Sequence, residues 1–120
     1  MTGVRQAVGA YGERVAVALL TAAGMTVLDR NWRDGRHGEL DIVARSADTI
    51  VFVEVKTRRG DGFGTPAAAV TPVKVRRLRR LAAAWLAAHP DVRGEVRFDV
   101  VAVSPQPSGP ALTEHLRGVV

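Results

Sequence analysis

ELDIVARSADTIVFVEVKT, residues 39–57, is the stretch whose reading decides the fold of this chain. Two apolar, β-branched runs flank Ser46-Ala47-Asp48, the pattern of two strands closed by a tight hairpin. A two-residue turn at Ala47-Asp48 sets a register in which Asp41 faces Glu54 and Glu39 faces Lys56. Facing carboxylates repel, so their pairing favours a cation between them. Charges inside the apolar run from Ile50 to Val55 also cost desolvation without helping a core. Glu54 and Lys56 share one strand face, and an acid and a lysine placed together near a second acid suggest a metal-dependent site. The chain has fifteen arginines and two lysines, so the arginine bias of its basic positions passed over position 56. A lysine is a compact charge whose proton affinity shifts readily, which suits it to positioning or activating a water. Read alone, Glu39 with Lys56 is an ordinary cross-strand salt bridge, and the opposition of Asp41 to Glu54 is what argues for more.

Outward from the hairpin, the periodicity predicts a helix over residues 8–23 that stops at Gly24, then a strand from Met25 to Arg33 and a loop at residues 34–38. Glu13 lies on the stripe of Ala16, Val17 and Leu20. An acid early in a helix is favoured by the macrodipole alone, but this one is aimed at the sheet edge where Asp41 and Glu54 meet. Beyond the hairpin, Arg58 to Phe63 is glycine-rich. Thr71-Pro72 supplies an N-cap and a first-turn proline for a helix that ends before Pro90. Lys74 falls on its inward stripe with Val75, Leu78, Leu81, Ala82 and Trp85, and either faces an anion or snorkels from the stripe's end. Arg76, Arg79 and Arg80 take the solvated face and Arg77 its flank. A last strand is expected from Glu95 to Val103, followed by a Pro-rich linker and a tail that either adds an edge strand or stays loose. The expected organisation is one domain over residues 1–120, with its core at 9–103 and a linker and tail at 104–120.

Composition narrows the chemistry. The chain lacks cysteine, which rules out disulfides and thiolate metal sites. The three histidines have no ligand-like spacing, no serine sits in a nucleophile elbow, and the glycines at 60, 62 and 64 do not frame a phosphate-binding loop. No apolar stretch is long enough for a membrane span, and residues 1–12 lack the apolar core of a secretory signal, so a soluble, cytoplasmic protein is expected. A net charge of +5, with no acidic residue between Asp61 and Asp91, favours a polyanionic partner.

Gly12-Glu13, Asn31-Trp32-Arg33, Gly38-Glu39-Leu40-Asp41, Phe52-Val53-Glu54-Val55-Lys56-Thr57-Arg58, Phe63-Gly64, Lys74 and Arg97-Phe98-Asp99-Val100 stand in an order that resembles the YraN-like uncharacterised proteins. That family is similar to archaeal Holliday-junction resolvases. The resemblance implies an α/β, restriction-endonuclease-like fold, a mixed central sheet flanked by helices. It implies Glu13, Asp41 and Glu54 as ligands of magnesium, or manganese, with the Val55 carbonyl as a further donor, and Lys56 as the catalytic lysine. Arg58, Arg59, Lys74 and Arg77 would hold flanking phosphates of DNA, branched or otherwise structured, and a homodimer would suit a four-way junction. The activity to expect is metal-assisted phosphodiester hydrolysis. The rivals are a non-catalytic nucleic-acid-binding module of the same fold and a protein-interaction domain.

Overall fold

A computed structural model describes residues 2–35, 37–58 and 70–120, with side chains from Ala7 onward. The order of elements is α1 (Thr2–Ala22), β1 (Thr26–Arg33), β2 (Glu39–Ser46), β3 (Thr49–Thr57), α2 (Pro72–Ala88), β4 (Glu95–Ser104) and β5 (Leu112–Leu116). The five strands form one mixed sheet in the order β1-β2-β3-β4-β5. β3 and β4 run parallel, joined by the crossover that carries α2, and every other neighbouring pair is antiparallel. The expected mixed α/β sheet with flanking helices is what the chain adopts.

The two helices cover opposite faces of the sheet. Ala16 and Leu20 of α1 pack on Ile42, Ala44, Val51, Val53, Val101 and Val103. Leu78, Leu81, Ala82 and Trp85 of α2 pack on Leu40, Val43, Ile50 and Phe52. β3 and β4 are therefore covered on both sides, which is why they read as continuous apolar runs rather than alternating ones. Trp85 is anchored further: its indole N–H donates to Asp29 Oδ2 at 2.8 Å, Phe52 meets its ring edge-on, and His89 stacks on it. The N-cap reading holds, since the Lys74 amide donates to Thr71 Oγ1 at 3.2 Å and Pro72 occupies the first turn.

The hairpin register is as read, with Ser46 opposite Thr49 and Ile42 opposite Val53. Ala47 carries the turn at φ 52, a left-handed conformation. α1 begins at Thr2, several residues earlier than its apolar stripe predicts. The tail takes the first of its two expected forms, for Leu112–Leu116 pairs antiparallel with β4 as the edge strand. Among the described residues no helix is long and apolar enough to cross a membrane.

At Gly12, α1 lies close against Thr57 of β3. A Cβ there would collide with Thr57 Oγ1 and lie 3.0 Å from Thr57 Cβ. Gly12→Ala is therefore expected to lower stability by about 1–3 kcal/mol by levering α1 off the sheet. Adding Thr57→Ala should recover only part of that loss, because the Cβ contact persists. A double-mutant cycle of denaturation midpoints measures both.

Candidate metal centre

β2 does not stay regular to its beginning. Leu40 and Val43 are three residues apart, a spacing that sends side chains to opposite faces of a regular strand, yet both pack on the α2 side. Pairing with β3 stops at Ile42 and Val53, so Asp41 and Glu54 are not ladder partners, nor are Glu39 and Lys56. From Asp41 back to Glu39 the strand keeps only its β1 neighbour, with Trp32 opposite Leu40 and Arg33 opposite Glu39. Where the β2 backbone leaves β3, the Asp41 side chain takes its place. The Val55 N–H donates to Asp41 Oδ2 at 2.8 Å.

This departure creates the site. Glu13 from α1 and Glu39 and Asp41 from the irregular end of β2 offer carboxylate oxygens within 4.8 Å of one another, each residue half-buried. Burial raises the Asp41 carboxyl to about 7 from an ordinary 3.8, and the charges of Glu54, Glu13 and Glu39 push in the same direction against the lowering effect of the Val55 amide. Such a set can hold a hard divalent cation. All its donors are oxygens, they converge from two elements, and a cation would relieve the repulsion that keeps Asp41 reluctant to ionise.

Of the remaining expected residues, Glu54 and Val55 act on Asp41 without joining the triad. Glu54 shares the face of Ile50 and Phe52, toward α2, and its Oε2 lies 3.5 Å from an Arg77 guanidinium nitrogen. Glu54 is nonetheless the carboxylate that acts most strongly on Asp41. With its side chain only 16% exposed, against 28% for Glu39, its field is less screened by water. Glu39 is the ligand candidate that residue spacing assigned to a salt bridge with Lys56. It pairs instead with Arg33 at 3.0 Å, and the 79% exposure of the Arg33 side chain leaves that ion pair weak. Lys56 is half-buried, and among the described residues no carboxylate forms an ion pair with its ammonium group. Val55 meets Asp41 through its amide. Lys74 is half-buried at the start of α2, the Arg58 amide donates to the Val103 carbonyl, and Arg59 lies outside the described residues with Phe63 and Gly64.

Removing Arg77 tests how far it competes for Glu54. Arg77→Ala is expected to strengthen manganese binding several-fold, on the order of 1 kcal/mol, since the exposed guanidinium is partly screened. Manganese titration by calorimetry or electron paramagnetic resonance reads the change, and unchanged affinity would show that Glu54 contributes nothing to the ion.

A second polar centre escaped the sequence reading. Asp99 on β4 is 1% exposed. Its carboxylate accepts from Arg97 Nε and Nη2 at 2.8 and 2.9 Å, from His115 Nε2 at 2.7 Å and from the Gly118 amide at 3.0 Å. Burial raises its proton affinity, but the hydrogen bonds from Arg97, Gly118 and His115 outweigh it and leave the carboxyl below its usual range. His115 is thus a core partner rather than a tail residue. A lone acid in the run Arg97-Phe98-Asp99-Val100 was the only available signal.

Comparison with known proteins identifies a family. The description "Uncharacterised protein family UPF0102" matches residues 12–103. A UPF0102 protein of Kineococcus radiotolerans is 60% identical over 116 residues, covering 96% of this chain and 94% of the relative. Those of Beutenbergia cavernae and Streptomyces coelicolor are 58% and 56% identical, each over 96% of this chain and over 97% and 89% of their own lengths. With the match spanning the acidic triad, Glu54, Lys56 and Asp99, the chain belongs to the uncharacterised UPF0102, or YraN-like, family.

Proposed function

We propose that this protein is a magnesium-dependent endonuclease that hydrolyses phosphodiester bonds of structured DNA. The observation that carries the reading is Asp41, half-buried and held among the charges of Glu13, Glu39 and Glu54. Glu13, Glu39 and Asp41 would hold the ion, magnesium or alternatively manganese, with Glu54 and the Val55 carbonyl as further oxygen donors. Bound there, the ion would supply Lewis acidity toward a phosphate oxygen. In the hydrolysis a water oxygen bonds to phosphorus, the P–O ester bond breaks, and the leaving oxygen gains a proton. Lys56 would orient that water and offset the charge that develops on the phosphate. Arg58, Arg59, Lys74 and Arg77 would hold flanking phosphates, so binding should weaken steeply with salt. A homodimer would fit a four-way junction, which presents two equivalent strands, and light scattering reads that state directly.

The test is cleavage of branched, flapped, duplex and single-stranded DNA with magnesium or manganese. Cutting of at least one structured substrate, lost in Lys56→Ala and in Glu54→Ala, is the expected result. Failure to cut any of them overturns the reading. The Glu54–Arg77 ion pair favours one alternative, a module of the same fold that binds DNA without cutting it. Undiminished binding in chelator, with no cleavage under any metal, would select it.

A further inference from the structure

We infer that the outward face of α2 is a rail for the phosphate backbone of double-stranded nucleic acid. The inference extends the proposed function, because it names the element that carries the substrate's flanking duplex.

Arg76, Arg79 and Arg80 are all exposed and lie three and four residues apart, on the face opposite Leu78, Leu81, Ala82 and Trp85. Like charges at this spacing repel and cost a helix a few tenths of a kcal/mol per pair. Nothing on the helix offsets that cost. α2 has no acidic residue in its first turn, and no acid occurs anywhere along it. Among the described residues no carboxylate pairs with Arg76, Arg79 or Arg80, and the contact found for this trio is Arg80 Nη1 to His37 Nδ1 at 3.4 Å. Arg33, Arg77 and Arg97, by contrast, each pair with a carboxylate.

A solvated helix surface would ordinarily mix signs. Three guanidinia that no described carboxylate neutralises call for an anionic partner of regular spacing, and the trio spans roughly 6 Å of helix axis, over which a duplex presents several phosphates. The row also leads to the candidate centre. Arg77, one step around the helix, reaches Glu54, and its stem would touch a Cβ placed on Gly38, the residue before Glu39. A lipid surface is the less suitable partner, because α2 has already buried its apolar face in the core. The rest of its outward face adds Val73, Ala83 and Ala87, and one exposed valine falls short of the broad apolar face that a helix lying in a membrane surface buries.

The experiment measures binding of the full chain to an arbitrary-sequence duplex of about twenty base pairs by fluorescence anisotropy, in chelator, across a salt series. The triple variant Arg76→Gln, Arg79→Gln, Arg80→Gln should bind at least tenfold more weakly at low salt. Its log-affinity against log-salt slope should be shallower by about 2 to 3, near the loss of one counterion per removed phosphate contact. Melting temperature should be unchanged or higher, and manganese should stabilise variant and wild type equally. Equal affinity and slope would overturn the inference, as would a wild type that does not bind duplex. So would a variant that loses binding to anionic vesicles while keeping duplex. Because binding is read in chelator, its failure is separate from failure of the metal centre, which the manganese-induced stabilisation of wild type reports alone.

Discussion

Asp41→Asn is expected to make the metal-free protein more stable at pH 8, by an amount of order 3 kcal/mol, while abolishing its stabilisation by magnesium or manganese. The Asp41 carboxyl binds its proton more tightly in the native chain, at about 7, than at its ordinary 3.8. Between those two values the native state holds a proton that the unfolded chain has released, so stability falls as pH rises through that window. By pH 8 the charge is largely present, half-buried and repelled by three other carboxylates. Asparagine can still accept the Val55 amide but carries no charge. The wild-type melting temperature should therefore drop from pH 5 to pH 8 relative to the variant, with a difference of roughly 10 °C at pH 8 that closes near pH 4. Saturating metal should rescue wild type at pH 8 and leave the variant unmoved. A difference that stays flat with pH would show that Asp41 is not held under this repulsion.

Asp99→Asn should have the opposite effect and a larger cost. The carboxylate is enclosed and accepts from a guanidinium, an imidazole and a backbone amide. Removing its charge strands Arg97 and His115 in a half-buried setting, a change expected to cost about 3–5 kcal/mol. Because this carboxyl is held below its ordinary proton affinity, its contribution is present above the unfolded value of 3.8 and is lost as pH falls through the lower folded one. Protonation of this group should thus contribute to the acid unfolding of wild type below pH 3.8. Since His115 and Gly118 are tied to Asp99, the variant should also expose residues 112–120 to hydrogen exchange before the rest of the sheet. Protection of that segment equal to wild type would mean that strand pairing alone holds it.

How much of this was legible beforehand follows the range of the interaction involved. Thr71 and Pro72 marked the start of α2 because a cap and a first-turn proline act within a few residues. Ala47-Asp48 set the hairpin register, and the apolar runs marked β2, β3 and β4 as strands, because periodicity is a local property. The same register, extended without interruption, also placed Asp41 opposite Glu54. That extension misses the irregularity between Leu40 and Val43, whose cause is packing: Leu40 fits the cluster beneath α2, and Asp41 satisfies the Val55 amide.

The one-dimensional chain thus determined its elements up to β4, their order, the hairpin pairing and most of the acidic residues at issue, since each depends on near neighbours and on side-chain character, while it left β5 open. The tertiary structure alone decided that Glu39 joins Glu13 and Asp41, that Glu54 turns to Arg77, and that His115 closes over Asp99. Each joins elements with no local relation to one another. Which carboxylate meets a cation, a guanidinium or another carboxylate depends on how the sheet bends and where two helices land, and strand alternation carries no record of either.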